Sequence, residues 1–213
     1  YKRQDLSLPQ YTSDIIDVGI MSSGVEHILP EEMTQEDFVS TQLFMTSREK
    51  KTFAACYKEQ KKDGNYVRNC EEDTLDDMDE SLLEPIVMVY QMSQMKESDI
   101  DEKAITAKMG TDGTQVDMKQ LMQALAAGQV PDQQILEMRK QVSGQIDAIG
   151  SSTLKSMGVT YAISCDKNAG VDVDAIQKHY LWTTGAKMLG FALLMVMAVS
   201  YTHLRAHETG RNL

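Results

Sequence analysis

The sequence predicts a mainly α-helical membrane protein fragment, with a helical extracytoplasmic domain between two transmembrane helix segments. Three observations predict this class. A long apolar stretch lies near the C-terminus, and a shorter one around Pro9 opens the chain. Between them, apolar residues recur every three or four positions, which is the period of an amphipathic helix. The 213 residues are enough for one ordinary domain with a core.

Composition excludes two classes of protein. Apolar residues make up 42% of the chain, so it is not a disordered polyelectrolyte. The formal net charge is −11, which argues against nucleic acid as a partner because phosphate binding needs clustered Lys and Arg. The 15 methionines are expected to fill helical cores with pliable apolar volume.

The stretch from Tyr180 to Tyr201 is the strongest signal for a transmembrane helix. A helix of about 20 residues crosses a hydrocarbon core of about 30 Å. The part from Met188 to Val199 carries no charge. Tyr180, Trp182 and Lys187 precede that part and are predicted to anchor the helix at the membrane interface. The alternative is the buried core helix of a soluble protein.

Both ends of the chain are predicted to be scars. Residues 1–4 and 201–213 resemble the read-through of a sequencing-library adapter. His203 and His207 lie four residues apart, a spacing that would place both imidazoles on one helical face like half of a zinc site. No third ligand accompanies them, so we predict no metal site there.

The first half of the chain predicts several helix boundaries. The segment 5–23 is an expected helix that ends at Ser22-Ser23-Gly24. Thr34 with Asp37, and Thr46 with Glu49, have the spacing of N-terminal capping boxes.

The acidic run 71–80 is interpreted as the entry of a helix. It lacks the alternating ligands and the central glycine of a calcium-binding loop. Acidic side chains also favour the positive end of a helix dipole.

The apolar stretch 82–95 is predicted to be the centre of the core, with a helix that begins near Pro85. Two further amphipathic helices are expected at 116–125 and from Pro131 to Ile149.

The segment after these helices leads into the membrane helix. Residues 161–165 have the composition of a short strand. Gly170 is expected to break the chain. Asp172 or Asp174 then caps the helix that enters the membrane.

The three cysteines do not have the spacing of a metal site. Cys56 and Cys70 bracket a polar stretch with a turn signal in its middle. A disulfide between them is possible if the stretch is a hairpin outside the cell, and free thiols fit the sequence equally well.

We predict no catalytic, cofactor-binding or metal-binding residue in this chain. Neither a Gly-x-x-x-x-Gly-Lys-Ser/Thr phosphate loop nor a Gly-x-Ser-x-Gly nucleophile motif is present. His27 and His179 lie near the two expected membrane junctions and are interpreted as surface residues.

Two motifs at the edges of the chain resemble multidrug-type ABC exporters of gut Firmicutes, in which a permease is fused to an ATP-binding domain. The first motif resembles the outward end of their first transmembrane helix, and the second resembles the start of their second. The first motif is carried by Leu8, Pro9, Ser13, Ile15, Ile16, Asp17, Gly19 and Ile20, and the second by Tyr180, Leu181, Trp182, Gly185, Lys187 and Met188.

The resemblance implies a plasma-membrane protein with three parts. Residues 5–23 would end the first transmembrane helix, residues 24–171 would form an extracytoplasmic insert, and residues 172–200 would enter and cross the membrane. The chain would then belong to the transmembrane domain of an exporter of drugs, lipids or peptides.

The resemblance also implies what the fragment lacks. ATP and Mg belong to the parent protein's nucleotide-binding domain, so the parent would be an ATP-hydrolysing translocase and this fragment would hold no cofactor. Its partners would be the remaining transmembrane helices, a second half-transporter and membrane lipid. The alternative function is a membrane-anchored extracytoplasmic binding or sensor domain.

Overall fold

A computed structural model of the chain describes residues 7–61, 63–94, 124–125, 127–146 and 150–209. The described chain is mainly helical, as predicted. It divides into two compact units, which we call the terminal unit and the central unit. The terminal unit comprises Tyr1–Glu26 and Val173–Leu213, and the central unit comprises His27–Asp172.

The terminal unit contains the helices at the two ends of the chain. Helix α1 covers Ser7–Asp14 and continues as a π-helix over Ile15–Met21. Ser23 and Gly24 have φ angles of 52° and 79°, which end the helix at the predicted place. The last helix, α7, covers Val173–Thr209.

The N-terminal helical segment packs against α7 through a glycine. A Cβ atom at Gly19 would lie 2.5 Å from Leu181 Cδ2, so the Leu181 side chain packs directly against the Gly19 backbone. Gln177 Nε2 donates a hydrogen bond of 2.8 Å to the Gly19 carbonyl. The π-helix is therefore fixed to α7 by both packing and hydrogen bonding.

The central unit combines five helices with a small sheet in its described part. Its elements are β1 (Glu32–Met33), α2 (Gln35–Thr41), α3 (Ser47–Ala55), β2 (Tyr57–Glu59), β3 (Tyr66–Arg68), α4 (Glu72–Gln94), α5 (Asp132–Ile146) and α6 (Ser151–Ala169). The strands are antiparallel and lie in the order β1-β3-β2. Strands β2 and β3 form a hairpin between Cys56 and Cys70.

Helix α4 forms the centre of the core. Its buried residues include Leu75, Leu82, Ile86 and Val89, so the predicted core stretch is confirmed. The predicted helix start at Pro85 is wrong, because α4 begins thirteen residues earlier at Glu72. Pro85 lacks an N–H for the helical ladder, and burial of the apolar stripe on both sides of it outweighs that cost.

The acidic run 71–80 is a helix entry, as predicted. Glu72 and Asp73 occupy the first turn of α4, where their charges suit the helix dipole.

The predicted strand at 161–165 is wrong, since these residues lie within α6. Leu154, Tyr161, Ala162 and Cys165 are buried at helical spacing. This long-range period outweighs the local preference of a five-residue stretch for a strand. The predicted break at Gly170 is confirmed, because Gly170 takes a left-handed conformation with φ 91° at the end of α6.

Both predicted N-terminal caps are present. The Thr34 hydroxyl accepts a hydrogen bond from Asp37 N, and Thr46 forms a full capping box with Glu49. The helix expected from Pro131 is confirmed as α5, although Ile149 lies outside the described residues.

The helix expected at 116–125 also lies outside the described residues, except for Ala124 and Leu125.

Replacing Thr46 with Ala is expected to lower the free energy of unfolding by about 1 kcal/mol, because α3 loses its cap. Urea denaturation followed by circular dichroism measures this change. Thr52→Ala is the matched control, since the exposed Thr52 hydroxyl bonds only within its own helix, to the Arg48 carbonyl. Equal losses from both variants would contradict the capping role.

Candidate functional site

A buried histidine lies among carboxylates in the central unit. His27 precedes β1 and is 8% exposed. Its Nδ1 atom lies 3.0 Å from Asp79 Oδ2 and its Nε2 atom lies 3.2 Å from Glu72 Oε1. Asp76 Oδ1 is 4.0 Å from Nδ1. Helix α4 supplies all three carboxylates, because residues spaced by three or four positions share one face of a helix.

Asp79 connects three segments of the central unit. One carboxylate oxygen accepts a hydrogen bond of 3.0 Å from Ile28 N, and the other lies 3.3 Å from Lys155 Nζ on α6. Burial opposes ionisation of Asp79, but the hydrogen bonds from His27 and Ile28 outweigh it, so the pKa of Asp79 lies below its usual value. Asp79 is therefore a charged group inside the fold.

The hydrogen bond to Asp79 raises the pKa of His27 above its ordinary value, against the opposing effect of burial. The raised pKa favours the imidazolium form of His27 between the two carboxylates. If it loses its proton, Nδ1 becomes a ligand atom. Single ligand atoms of His27, Asp76 and Asp79 all lie within 4.8 Å of one another. Imidazole and carboxylate groups are common ligands of divalent transition metals.

The expectation that His27 is a surface residue is therefore wrong. The residue is buried because Asp79 and Glu72 compensate its charge. The regular spacing of the carboxylates on α4 is visible in the sequence. Their histidine partner lies 45 to 52 residues away, and no local pattern connects the two.

A second buried ion cluster holds α5 in place. Arg139 is 7% exposed, and its guanidinium lies 2.9 Å from Glu49 and 2.7 Å from Glu84. These contacts join α5 to α3 and α4. Both carboxylates pair with one arginine that has few solvent contacts, so the cluster is structural.

A third polar feature is Asp166 on α6, which is fully buried. Its Oδ1 atom accepts a hydrogen bond of 2.9 Å from Glu32 N, and its buried Oδ2 atom has no hydrogen-bond partner among the described residues. Burial raises the pKa of Asp166 to about 6. Asp166 therefore changes charge closer to neutral pH than an ordinary aspartate does.

The structure describes all three cysteines without a disulfide, and both alternatives for Cys56 and Cys70 stay predictions. The Cys56 thiol donates a hydrogen bond of 3.2 Å to the Met78 thioether. The two alternatives for Cys56 and Cys70, a disulfide or free thiols, are taken up below.

The predicted interface anchors lie on α7. Trp182 is 80% exposed, Lys187 is exposed and Tyr180 is half-buried. His179 is exposed, as expected.

In the described part of the chain, one helical stretch is long and apolar enough to cross a membrane. It covers Val173–Val199, and only 6% of its most apolar window is buried. Its largely exposed apolar side chains include Leu189, Phe191, Leu193, Leu194, Val196, Met197 and Val199. A core helix of a soluble protein would have most of these side chains covered.

Comparison with known proteins adds no relative: no family model, no curated protein and no solved structure matches the chain.

Replacing Asp79 with Asn is expected to lower the free energy of unfolding by about 3 kcal/mol, because His27 would be left as a buried charge without its main partner. Chemical denaturation at pH 6 measures the loss. Asp77→Asn, on the exposed face of the same helix, is the control and should change little. A loss below about 1 kcal/mol in the Asp79 variant would contradict the pairing.

Stability is also expected to depend on the charge of His27. Because the folded-state pKa of His27 is raised, its ion pair contributes fully below the ordinary histidine pKa and is lost as the pH rises through the folded value. The free energy of unfolding, measured from pH 5 to 9, should therefore fall in this range. His27→Gln should remove the His27 contribution and leave the smaller fall below about pH 7 that the raised pKa of Asp166 produces. His179→Gln should keep the whole fall, and identical profiles for the His27 and His179 variants would rule out His27 as a source.

Proposed function

We propose that the chain is part of the transmembrane domain of an ATP-driven ABC exporter at the plasma membrane, with residues 24–171 as an extracytoplasmic insert. The observation that carries the proposal is the exposed apolar surface of α7. The two edge motifs resemble the first and second transmembrane helices of such exporters, and this resemblance is the basis for proposing that family.

Exposure of α7 to water would be unfavourable. Leu193, Leu194, Val196 and Met197 are each more than half exposed. Burial of apolar surface stabilises by roughly 25 cal/mol per Å², so a continuous patch of this kind favours lipid or a neighbouring helix as its surroundings. The helical backbone satisfies its own hydrogen bonds, which a membrane core requires.

The polar and aromatic residues of α7 suit a membrane boundary. Trp182, with 80% of its surface exposed, and Tyr180 have amphipathic rings of the type found at the headgroup level. Lys187 can extend its ammonium group back towards that level. The helix from Tyr180 to Val199 has about 20 residues, a length that spans roughly 30 Å.

In the proposed parent, this fragment would take part in the conformational change of the helix bundle and would not itself hydrolyse ATP. ATP and Mg would bind in the nucleotide-binding domain, and closure of the paired domains would shift the helix bundle between inward- and outward-facing states. The exposed apolar side chains of Ile16, Ile20 and Met21 would contact lipid, the remaining transmembrane helices or the second half-transporter.

A second candidate is a membrane-anchored extracytoplasmic binding or sensor domain. The observation that favours it is the His27 cluster, since a buried group that changes charge or binds a cation is typical of a sensor.

The genomic locus separates the two candidates. An uninterrupted reading frame that reaches further apolar spans and a phosphate-loop motif would support the exporter. A stop codon soon after residue 200 would overturn it in favour of the anchored domain.

Membrane insertion is expected to fail when a charge enters the middle of α7. Leu193→Arg should reduce the fraction of expressed chain that resists carbonate extraction, because a central arginine costs about 3 kcal/mol on the insertion scale. Thr183→Arg is the matched control, since an arginine near the interface can reach the headgroups. Recovery of the unaltered chain as a monomer in the soluble fraction would overturn membrane insertion.

A further inference from the structure

The hairpin of the central unit brings the two ends of its loop together. Cys56 ends α3, and Cys70 lies between β3 and α4. Tyr57 pairs with Arg68 in the β2–β3 ladder. The pairing continues one residue further, because Asn69 N donates a hydrogen bond of 2.7 Å to the Cys56 carbonyl. Cys70 is therefore the residue directly after the backbone partner of Cys56.

The side chains of the two cysteines also interact. Burial is the main reason that the pKa of Cys56 is raised to about 12, and a hydrogen bond with the Cys70 thiol is the next. The Cys70 thiol is thus close enough to the Cys56 thiol to affect its pKa. The Cys56 side chain also touches the Met78 thioether at the start of α4.

The three cysteines differ in access to solvent. Cys56 is 3% exposed and Cys165 is 1% exposed, whereas Cys70 is only half-buried. Cys165 lies within α6 and is almost fully buried there. A reagent in solution therefore reaches Cys70 first, and the thiol beside Cys70 is that of Cys56.

We propose that Cys56 and Cys70 form a thiol–disulfide exchange site, which a low-molecular-weight disulfide such as oxidised glutathione closes into an intramolecular disulfide. The proposal relies on the extracytoplasmic placement proposed above only for where the oxidant is met in the cell. The chemistry itself depends on the geometry of the central unit.

The reaction consists of two exchanges. The Cys70 thiolate attacks one sulfur of the small disulfide, forms a mixed disulfide and releases one small thiolate. The Cys56 thiol then gives its proton to water, and its thiolate attacks the Cys70 sulfur. This step forms the Cys56–Cys70 bond and releases the second small thiolate. Two protein thiols are oxidised, and one small disulfide is reduced to two thiols.

The second exchange is expected to be the slow one. Cys56 is buried, its thiol is protonated at neutral pH and it is hydrogen-bonded to Met78, so few molecules carry the attacking thiolate. The mixed disulfide at Cys70 should therefore accumulate first. Its conversion should speed up as the pH rises from 7 to 9, because the thiolate fraction of Cys56 grows with pH.

The closed disulfide is expected to stabilise the central unit. It encloses the hairpin in a short loop and joins the end of α3 to the start of α4. A loop of this size constrains the unfolded chain, and the transition of the central unit should rise by roughly 6 to 12 °C on oxidation.

The test uses the purified, reduced full chain in detergent, incubated with oxidised glutathione and then unfolded and alkylated. Intact mass and peptide mapping should show a glutathione adduct on Cys70 first and a Cys56–Cys70 disulfide later. Cys165 should be recovered in its alkylated form at every time point. In the Cys70→Ser variant, neither the adduct on residue 70 nor the link should form. In the Cys56→Ser variant, the reaction should stop at the Cys70 adduct. The Cys165→Ser variant should react like the unaltered chain.

The unaltered chain alone can overturn the proposal, whether or not the variants fold. Three outcomes would contradict it. The Cys70 adduct could persist without forming the Cys56–Cys70 disulfide, all three cysteines could be recovered alkylated and unoxidised, or a disulfide could form to Cys165. Failure in a chain that inserts into membranes would leave the exporter proposal in place. Closure in a chain that stays soluble would support the exchange site and remove the exporter proposal.

Discussion

The carboxylate of Asp79 is the constraint on which the central unit depends. It accepts a hydrogen bond from Ile28, pairs with His27 and lies near Lys155, so the segment before β1 and helix α6 are both fixed to α4. A buried ion pair contributes little net stability when complete but is costly when one partner is lost. Such a pair specifies one arrangement of the three segments, and the apolar core around α4 supplies most of the stabilisation.

Local sequence signals predicted much of the fold. The caps at Thr34 and Thr46 and the break at Gly170 depend on residues a few positions apart, and the structure contains all three. The start of α4 and the helix at 161–165 were mispredicted because tertiary burial outweighs local propensity there. The His27 site could not be predicted, since its two halves meet only after the chain folds back over 45 or more residues.

The two units differ in which side chains they bury and which they expose. In the central unit, charged groups that enter the interior find partners, as Arg139 does between Glu49 and Glu84. In α7, apolar side chains such as Leu193 and Leu194 face outwards without cover from the rest of the described chain. This difference is the one expected if the central unit lies in water and α7 lies in lipid, as proposed above.

The contact between Glu32 and Asp166 has a consequence for how such a protein can evolve. This hydrogen bond of 2.9 Å joins a residue near the start of the central unit to one near its end. A folding unit whose entry and exit lie side by side can be spliced into a tight turn without forcing the flanking segments apart. In the proposed exporter, the central unit would then be a domain that a lineage can gain, exchange or lose while the transmembrane helices keep their course.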